Sequence, residues 1–132
     1  MYTMKQTCEL TGLHYETLKF YCNQGLVPRV KRDGQNRRVF DERDVAWIKS
    51  ISCLKNCDLS IQEMRQYIEL CRRGASSIPE RKLFLEEKRR ALLEKQQQLQ
   101  SALDYIDWKQ HFYDDVLAGR QAYYSNLVDD ET

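Results

Sequence analysis

No apolar run in this sequence approaches the ~20 residues that a bilayer crossing needs, and the N-terminus shows no charged-then-apolar leader pattern. A cytoplasmic location is expected, with no membrane partner. The five cysteines, Cys8, Cys22, Cys53, Cys57 and Cys71, are odd in number and contain no Cys-x-x-Cys. In a reducing compartment they stay thiols, which argues against a disulfide framework, and the missing Cys-x-x-Cys argues against a structural zinc site. Nothing reads as a phosphate-binding loop, a carboxylate pair in a pocket or a Cys/His pair at an interpretable spacing, so no enzyme and no cofactor are expected. His111 alone is a poor metal ligand and reads as a surface histidine.

What is present is charge, unevenly placed. The net charge of +1 hides two halves. Residues 1–73 hold 13 Lys/Arg against 9 Asp/Glu, and residues 74–132 hold 8 against 11. The densest point is KRDGQNRRVF, residues 31–40, with Lys31 and Arg32 before an Asp-Gly and Arg37 and Arg38 after it. Like charges repel, so folding gives no reason for the cluster, whereas a polyanionic partner does. The acidic second half argues against a generally sticky basic protein.

Local signals set out the elements. Thr3 followed by Gln6 reads as a capping box that opens a first helix. A Thr-Gly break at 11–12 separates it from a second helix with Tyr15, Leu18 and Cys22 at helical spacing and Gly25 as its stop. Two short helices joined by a tight turn form a helix-turn-helix. Val27, Val30, Val39 and Phe40 flank a turn near Asp33–Asn36, which predicts a hairpin whose first strand Pro28 keeps at an edge. Asp41 caps a third helix with Val45, Ile48, Ile51 and Leu54 on one face. Ser60 and Glu63 make a second capping box, opening a fourth helix that Gly74 closes.

ASSIPE, residues 75–80, is the one linker-like stretch. From about 79 to 118 there is no internal Gly or Pro, and Leu85, Leu92, Leu99, Ile106 and Tyr113 recur every seven residues, with Leu103 and Leu117 in support. This is a heptad seam. At ~1.5 Å per residue the helix is about 60 Å long, and the economical partner for such a seam is a second copy of the chain. The tail from Gly119 on is expected to be loose. The organisation expected is a DNA-binding head over 1–74, a linker and dimerisation helix over 75–118, and a tail over 119–132.

These elements in this order resemble the MerR family of transcription regulators. The residues that carry the resemblance are YTMKQTCELTGLHYETLKFYCNQGLVP, close to the family's Tyr-Thr, helix, Thr-Gly, TLRYY…GL…P; NRRVF, which resembles GYRxY/F; and LSIQEMRQYI, which resembles xSLEEIRxLL. Together they cover about residues 1–72. The sequence departs from the pattern at Lys19-Phe20-Tyr21, where the family has RYY, and at Arg37, where it has a wing aromatic. Lys for Arg keeps the charge but loses the bidentate fork.

The resemblance implies a mainly α fold: a winged helix-turn-helix head with a small hairpin wing, then a long antiparallel coiled-coil dimerisation helix. It implies a homodimer on double-stranded promoter DNA, with the second helix in the major groove and the wing on the flanking backbone. Tyr15, Glu16, Lys19 and Tyr21 are the candidate contacts on the helix, and Lys31, Arg32, Arg37 and Arg38 those on the wing. Leu85, Leu92, Leu99, Leu103, Ile106 and Tyr113 are the candidate dimer contacts. Family members distort DNA between badly spaced promoter elements so that RNA polymerase can use it, a deformation held by contact energy.

Family members differ in what they sense. Drug-sensing members carry a large domain after the long helix, and only a short tail follows here. Metal-sensing and iron–sulfur members place cysteines near that helix's end, and no cysteine here lies beyond Cys71. Cys53 falls where electrophile-responsive members carry a reactive cysteine, with Lys49 and Lys55 near it in sequence. It is therefore the candidate sensor thiol, with a small electrophile as inducer. The competing reading of Cys53 is a small core residue. Two competing functions are an architectural or recombination-accessory winged helix that bends DNA without activating a promoter, and a coiled-coil adaptor. The seam helix speaks against the first and the basic wing against the second.

Overall fold

A computed structural model of the chain describes residues 1–128. The elements run α1 Met4–Thr11, α2 Tyr15–Asn23, β1 Lys31–Arg32, β2 Arg38–Val39, α3 Glu42–Asn56, α4 Ile61–Arg72, a 3₁₀ turn Gly74–Ser77 and α5 Ile78–Leu117. The chain divides into two compact units, Met1–Arg90 and the part from Ala91 on. Among the described residues no helix is long and apolar enough to cross a membrane.

The head is built by local chemistry first. Thr3 and Gln6 form a reciprocal capping box on α1, Asp41 and Asp44 one on α3, and Ser60 and Glu63 one on α4. Each satisfies two backbone donors that a helix start would otherwise leave open. Gly12, at φ 76°, ends α1 in the left-handed region that glycine enters without steric cost. The hairpin is shorter than the sequence predicts. β1 and β2 are two residues each, antiparallel, with Lys31 opposite Val39 and Arg32 opposite Arg38. Val27 is buried in the core instead of extending β1. Phe40 is also buried, and its backbone pairs with Tyr2 (Tyr2 N to Phe40 O 2.6 Å; Phe40 N to Tyr2 O 2.9 Å). The wing is thus rooted in the core and stitched to the N-terminus.

One apolar cluster fills the head. Leu18 and Tyr21 from α2, Ile48 and Ile51 from α3, and Met64 and Ile68 from α4 meet Leu26, Phe40 and Leu59. Burying each large side chain stabilises the head by ~1.5–3 kcal/mol. The expected inner face of α3 is observed: Val45, Ile48 and Ile51 are buried and Leu54 is half-buried.

The stretch read as a linker is ordered chain. Residues 74–77 make the 3₁₀ turn, the Ser77 side chain is buried, and its hydroxyl donates to the carbonyls of Leu70 and Gly74. A Ser-rich composition signals a loop when its hydroxyls face water; here the hydroxyl is spent on backbone carbonyls. The first turns of α5 pack on α4 through Phe84 on Tyr67 (ring centroids 5.6 Å apart) and an ion pair between Lys88 and Glu63.

In the second unit the seam lies open within one chain. Leu99 is 67% exposed, and Leu103, Ile106 and Tyr113 are each about half exposed. The buried residue of α5 is Phe112, one position from the predicted Tyr113. It stacks on Trp108 and meets Tyr124 edge-on at 5.0 Å. Arg120 also pairs with Asp115 at 2.9 Å. Residues 120 and 124 therefore fold back onto the helix, a correction to the loose tail expected from Gly119 on. The part of that expectation beyond residue 128 lies outside the described residues.

Candidate nucleic-acid interface

The candidate contact residues sit on α2 and on the hairpin. Tyr15, Glu16 and Lys19 are exposed on α2. Tyr21 is not with them. It is 4% exposed and belongs to the apolar cluster. Leu18 and Tyr21, three residues apart, share the inward face of α2, and burial pushes the Tyr21 phenol up from its ordinary value. The ring of Tyr21 is thus part of the core, unlike the exposed side chains of Tyr15, Glu16 and Lys19.

The four wing cations are all brought to one hairpin, in four different states. Lys31 reaches the Asp41 carboxylate at 3.2 Å, and Arg29 lies 3.5 Å from the same oxygen and 3.7 Å from Asp44. Arg37 lies 3.6 Å from Asp33. Arg32 donates to the Asn36 carbonyl at 2.9 Å. Arg38 donates to Asn23 Oδ1 at 2.7 Å and has no carboxylate partner among the described residues. Part of the cationic cluster therefore has an intramolecular explanation that the sequence reading missed. The capping carboxylates at the start of α3 attract Arg29 and Lys31. The signal available in the sequence was Asp41 itself, read only as a cap.

The carboxylates respond accordingly. The backbone N–H of Asp44 holds the Asp41 carboxyl down at about 2, with Lys31 and Arg29 helping. Asp33 is lowered chiefly by the Arg37 backbone N–H. Its Oδ1 accepts from the N–H groups of Gln35 and Arg37, both at 2.9 Å, and Asn36 turns the chain at φ 60°. An Asx-type turn of this kind fixes the wing tip without apolar contacts. These exposed ion pairs contribute little to stability, so a phosphate can replace the carboxylate at small cost. Arg38 and Lys19, with no acidic partner among the described ion pairs, are available without any exchange.

The thiols divide by exposure. Cys53 is exposed on α3, while Cys8, Cys22, Cys57 and Cys71 are intermediate. Burial raises the thiols of Cys8 and Cys22 above their ordinary range. The alternative of Cys53 as a core residue does not hold within one chain. Cys57, at the C-terminal cap of α3, donates its backbone N–H to Cys53 O at 3.2 Å. His111 is exposed. Among the described residues no group of three or more His, Cys, Asp or Glu could hold a metal ion.

Comparison with known proteins adds an independent line. The family pattern described as "MerR HTH family regulatory protein" matches residues 2–71, and the one described as "MerR, DNA binding" matches residues 45–108. The chain is 31% identical over 112 residues to an uncharacterized HTH-type transcriptional regulator of Haemophilus influenzae, spanning 85% of this chain and 83% of that one. It is 37% identical over 89 residues to the HTH-type transcriptional regulator AdhR of Bacillus subtilis, spanning 67% and 64%. Among solved structures, it is similar to HiNmlR, a MerR family regulator lacking the sensor domain and bound to promoter DNA. That match has a TM-score of 0.71 at 31% identity over 89% of this chain and 93% of the other. A putative MerR family transcriptional regulator from Listeria monocytogenes matches with a TM-score of 0.77 at 28% identity, over 90% of each chain.

Proposed function

The chain belongs to the MerR family of helix-turn-helix transcriptional regulators, and on that premise we propose that it binds double-stranded promoter DNA as a homodimer and distorts the duplex between promoter elements to control RNA polymerase. The observation that carries this reading is the set of exposed cations on α2 and the wing. Lys19 and Arg38 have no acidic partner among the described ion pairs, and Lys31 and Arg37 hold only exposed ones. Each cation that neutralises a phosphate releases counterion and adds sequence-independent affinity. Tyr15, Glu16 and Lys19 are the groups on α2 in position to reach base edges. The similar HiNmlR is itself bound to promoter DNA, which supports the same use of this head. The role is regulatory, in the cytoplasm, with no chemistry on a substrate.

The homodimer forms, on this reading, through the open seam of α5, with the helices antiparallel. Leu85, Leu92, Leu99, Leu103, Ile106 and Tyr113 lie against a second copy. Two heads held at fixed separation can keep a duplex bent or untwisted, the deformation being balanced by contact energy.

Cys53 is the proposed sensor thiol. Its sulfur adds to the electrophilic carbon of a small inducer, and the thiol proton is passed to the adduct. Within one chain Cys53 is exposed. The bulk of the adduct is proposed to disturb the packing beside α3, and overpacking of ~1–3 kcal/mol is enough to shift a balanced two-state dimer. Footprinting combined with transcription in vitro tests the reading. Protection of a promoter together with a change in transcript level is expected; binding with no effect on transcription contradicts it.

A further inference from the structure

α2 is a weak helix held in place by others. It has nine residues, its N-cap His14 makes no side-chain cap, and its last turn contains no basic residue. Isolated helices of that length are marginal in water, and a cation at the C-terminal end is the usual complement to the helix dipole. Leu18 and Tyr21 are its buried residues, with Cys22 packed against the same cluster.

The structure supplies what α2 lacks from three later elements, all at its C-terminal end. Arg38 of the wing donates to Asn23 Oδ1 at 2.7 Å. Trp47 of α3 donates its indole N–H to Leu26 O at 2.8 Å. Arg65 of α4 donates Nε to Gln24 O at 3.0 Å and Nη2 to Gln24 Oε1. Arg65 thus brings a cation to the end of α2 from 41 residues away and engages one residue through two donors of its fork. α4 in turn is fixed to α5 by Glu63 and Lys88.

We infer that Arg65 is a positioning residue for DNA reading: its guanidinium fixes the C-terminal end of α2, and with it the angle between the reading helix and the wing. This rests on the proposal that α2 and the wing contact DNA. The side chain is exposed on α4, so the core does not depend on it. Without it, α2 keeps its apolar anchors but its polar end is held only by the wing and by Trp47 on the following loop. Exposed ends held by one contact fewer sample more orientations, and specific binding is penalised by the fraction of time spent in the wrong one.

The test uses the full chain and a promoter fragment selected by the native protein. Affinity is measured across a salt series for native, Arg65→Ala, Arg65→Lys and Gln24→Ala proteins, with an unrelated fragment of equal length as the non-specific probe. Arg65→Ala is expected to bind the promoter about tenfold more weakly, as for loss of a charge-assisted hydrogen bond. Its log–log salt slope and its non-specific binding are expected to match the native protein. Arg65→Lys keeps the charge but not the fork and is expected to recover only part. Combining Gln24→Ala with Arg65→Ala is expected to add less than the sum of the two.

Unchanged promoter affinity in Arg65→Ala overturns the inference. A salt slope shallower by about 1.8, one phosphate contact in each protomer, makes Arg65 a phosphate contact and overturns it too, as does full recovery by Arg65→Lys. Should Arg65→Ala fail to fold, native affinity in Arg65→Lys is the overturning result and weakened specific binding in that variant the supporting one. Failure of the native protein to select any fragment refutes the DNA-binding proposal first, and this inference with it.

Discussion

Replacing Arg38 with alanine removes a wing cation that has no carboxylate partner among the described ion pairs and is aligned by a hydrogen bond to α2. Its neighbours Lys31 and Arg37 each surrender an ion pair to reach a phosphate, at 3.2 and 3.6 Å from their acids; Arg38 surrenders nothing. Its bond to Asn23 uses one donor of the fork and leaves the remaining ones for DNA. Each phosphate neutralised on duplex DNA contributes about 0.9 to the log–log salt slope. A symmetric dimer carries two copies, so Arg38→Ala is expected to make the slope shallower by about 1.8. Over a fourfold rise in salt, from about 50 to about 200 mM, the affinity gap between native and variant then narrows about twelvefold. Fluorescence anisotropy on a promoter fragment across that range measures it. Asn23→Ala is the control. It removes the alignment and not the charge, so it weakens binding while leaving the slope unchanged. A parallel salt dependence in native and Arg38→Ala proteins, with both folded, refutes phosphate contact by the wing at this residue.

Three further outcomes are expected. Leu99→Asp with Leu103→Asp places charge on the open part of the seam, which is exposed in a single chain and where charge is severe once buried against a second copy; light scattering should report a monomer with a native circular dichroism signal for the head, and a persisting dimer would remove the seam from the interface. Cys53, the exposed thiol, should alkylate faster at neutral pH than Cys8 or Cys22, whose thiols burial raises, as followed by peptide mass spectrometry; if Cys53 is slowest and Cys53→Ser still responds to aldehydes, the signal lies elsewhere. Acid should destabilise the head through its lowered carboxyls, Asp41 at about 2 with Asp33, Glu63 and Glu80 also below their ordinary values. Their contribution is complete above the ordinary carboxylate range and is lost as pH falls toward the folded values, so thermal midpoints should be flat from about pH 7 to 5 and drop toward pH 2; a midpoint at pH 3 equal to that at pH 7 contradicts the assignment.

Helix starts were legible because capping is local. Thr3 with Gln6 and Ser60 with Glu63 lie three residues apart, and the same spacing makes both hydrogen bonds. The inner face of α3 was legible from periodicity, and the wing turn from Asp33-Gly34 and Asn36. The hairpin's extent was not, because Val27 has the same β preference whether it pairs in a strand or fills a core. The burial of the Tyr21 ring was not legible for a related reason: an amphipathic ring suits a core position and a phosphate contact equally. The contacts that tie the end of α2 to the rest of the head had no sequence signal. Asn23–Arg38, Gln24–Arg65 and Trp47–Leu26 join polar or backbone atoms of separate elements, and no periodicity marks them. Phe112 escaped notice because the heptad count selects Tyr113, while the residue that buries Phe112, Tyr124, lies beyond the helix.

The central claim is that two copies of this head read one promoter site together. Hydroxyl-radical footprinting of the native protein on a promoter fragment selected from genomic DNA tests it most directly, with the stoichiometry of the same complex measured by light scattering. Two protected half-sites related by a two-fold axis, bound by two chains, and with altered cleavage at the unprotected centre where the duplex is deformed, are predicted. A single unsymmetric half-site bound by one chain, or protection with an undistorted centre, contradicts the account.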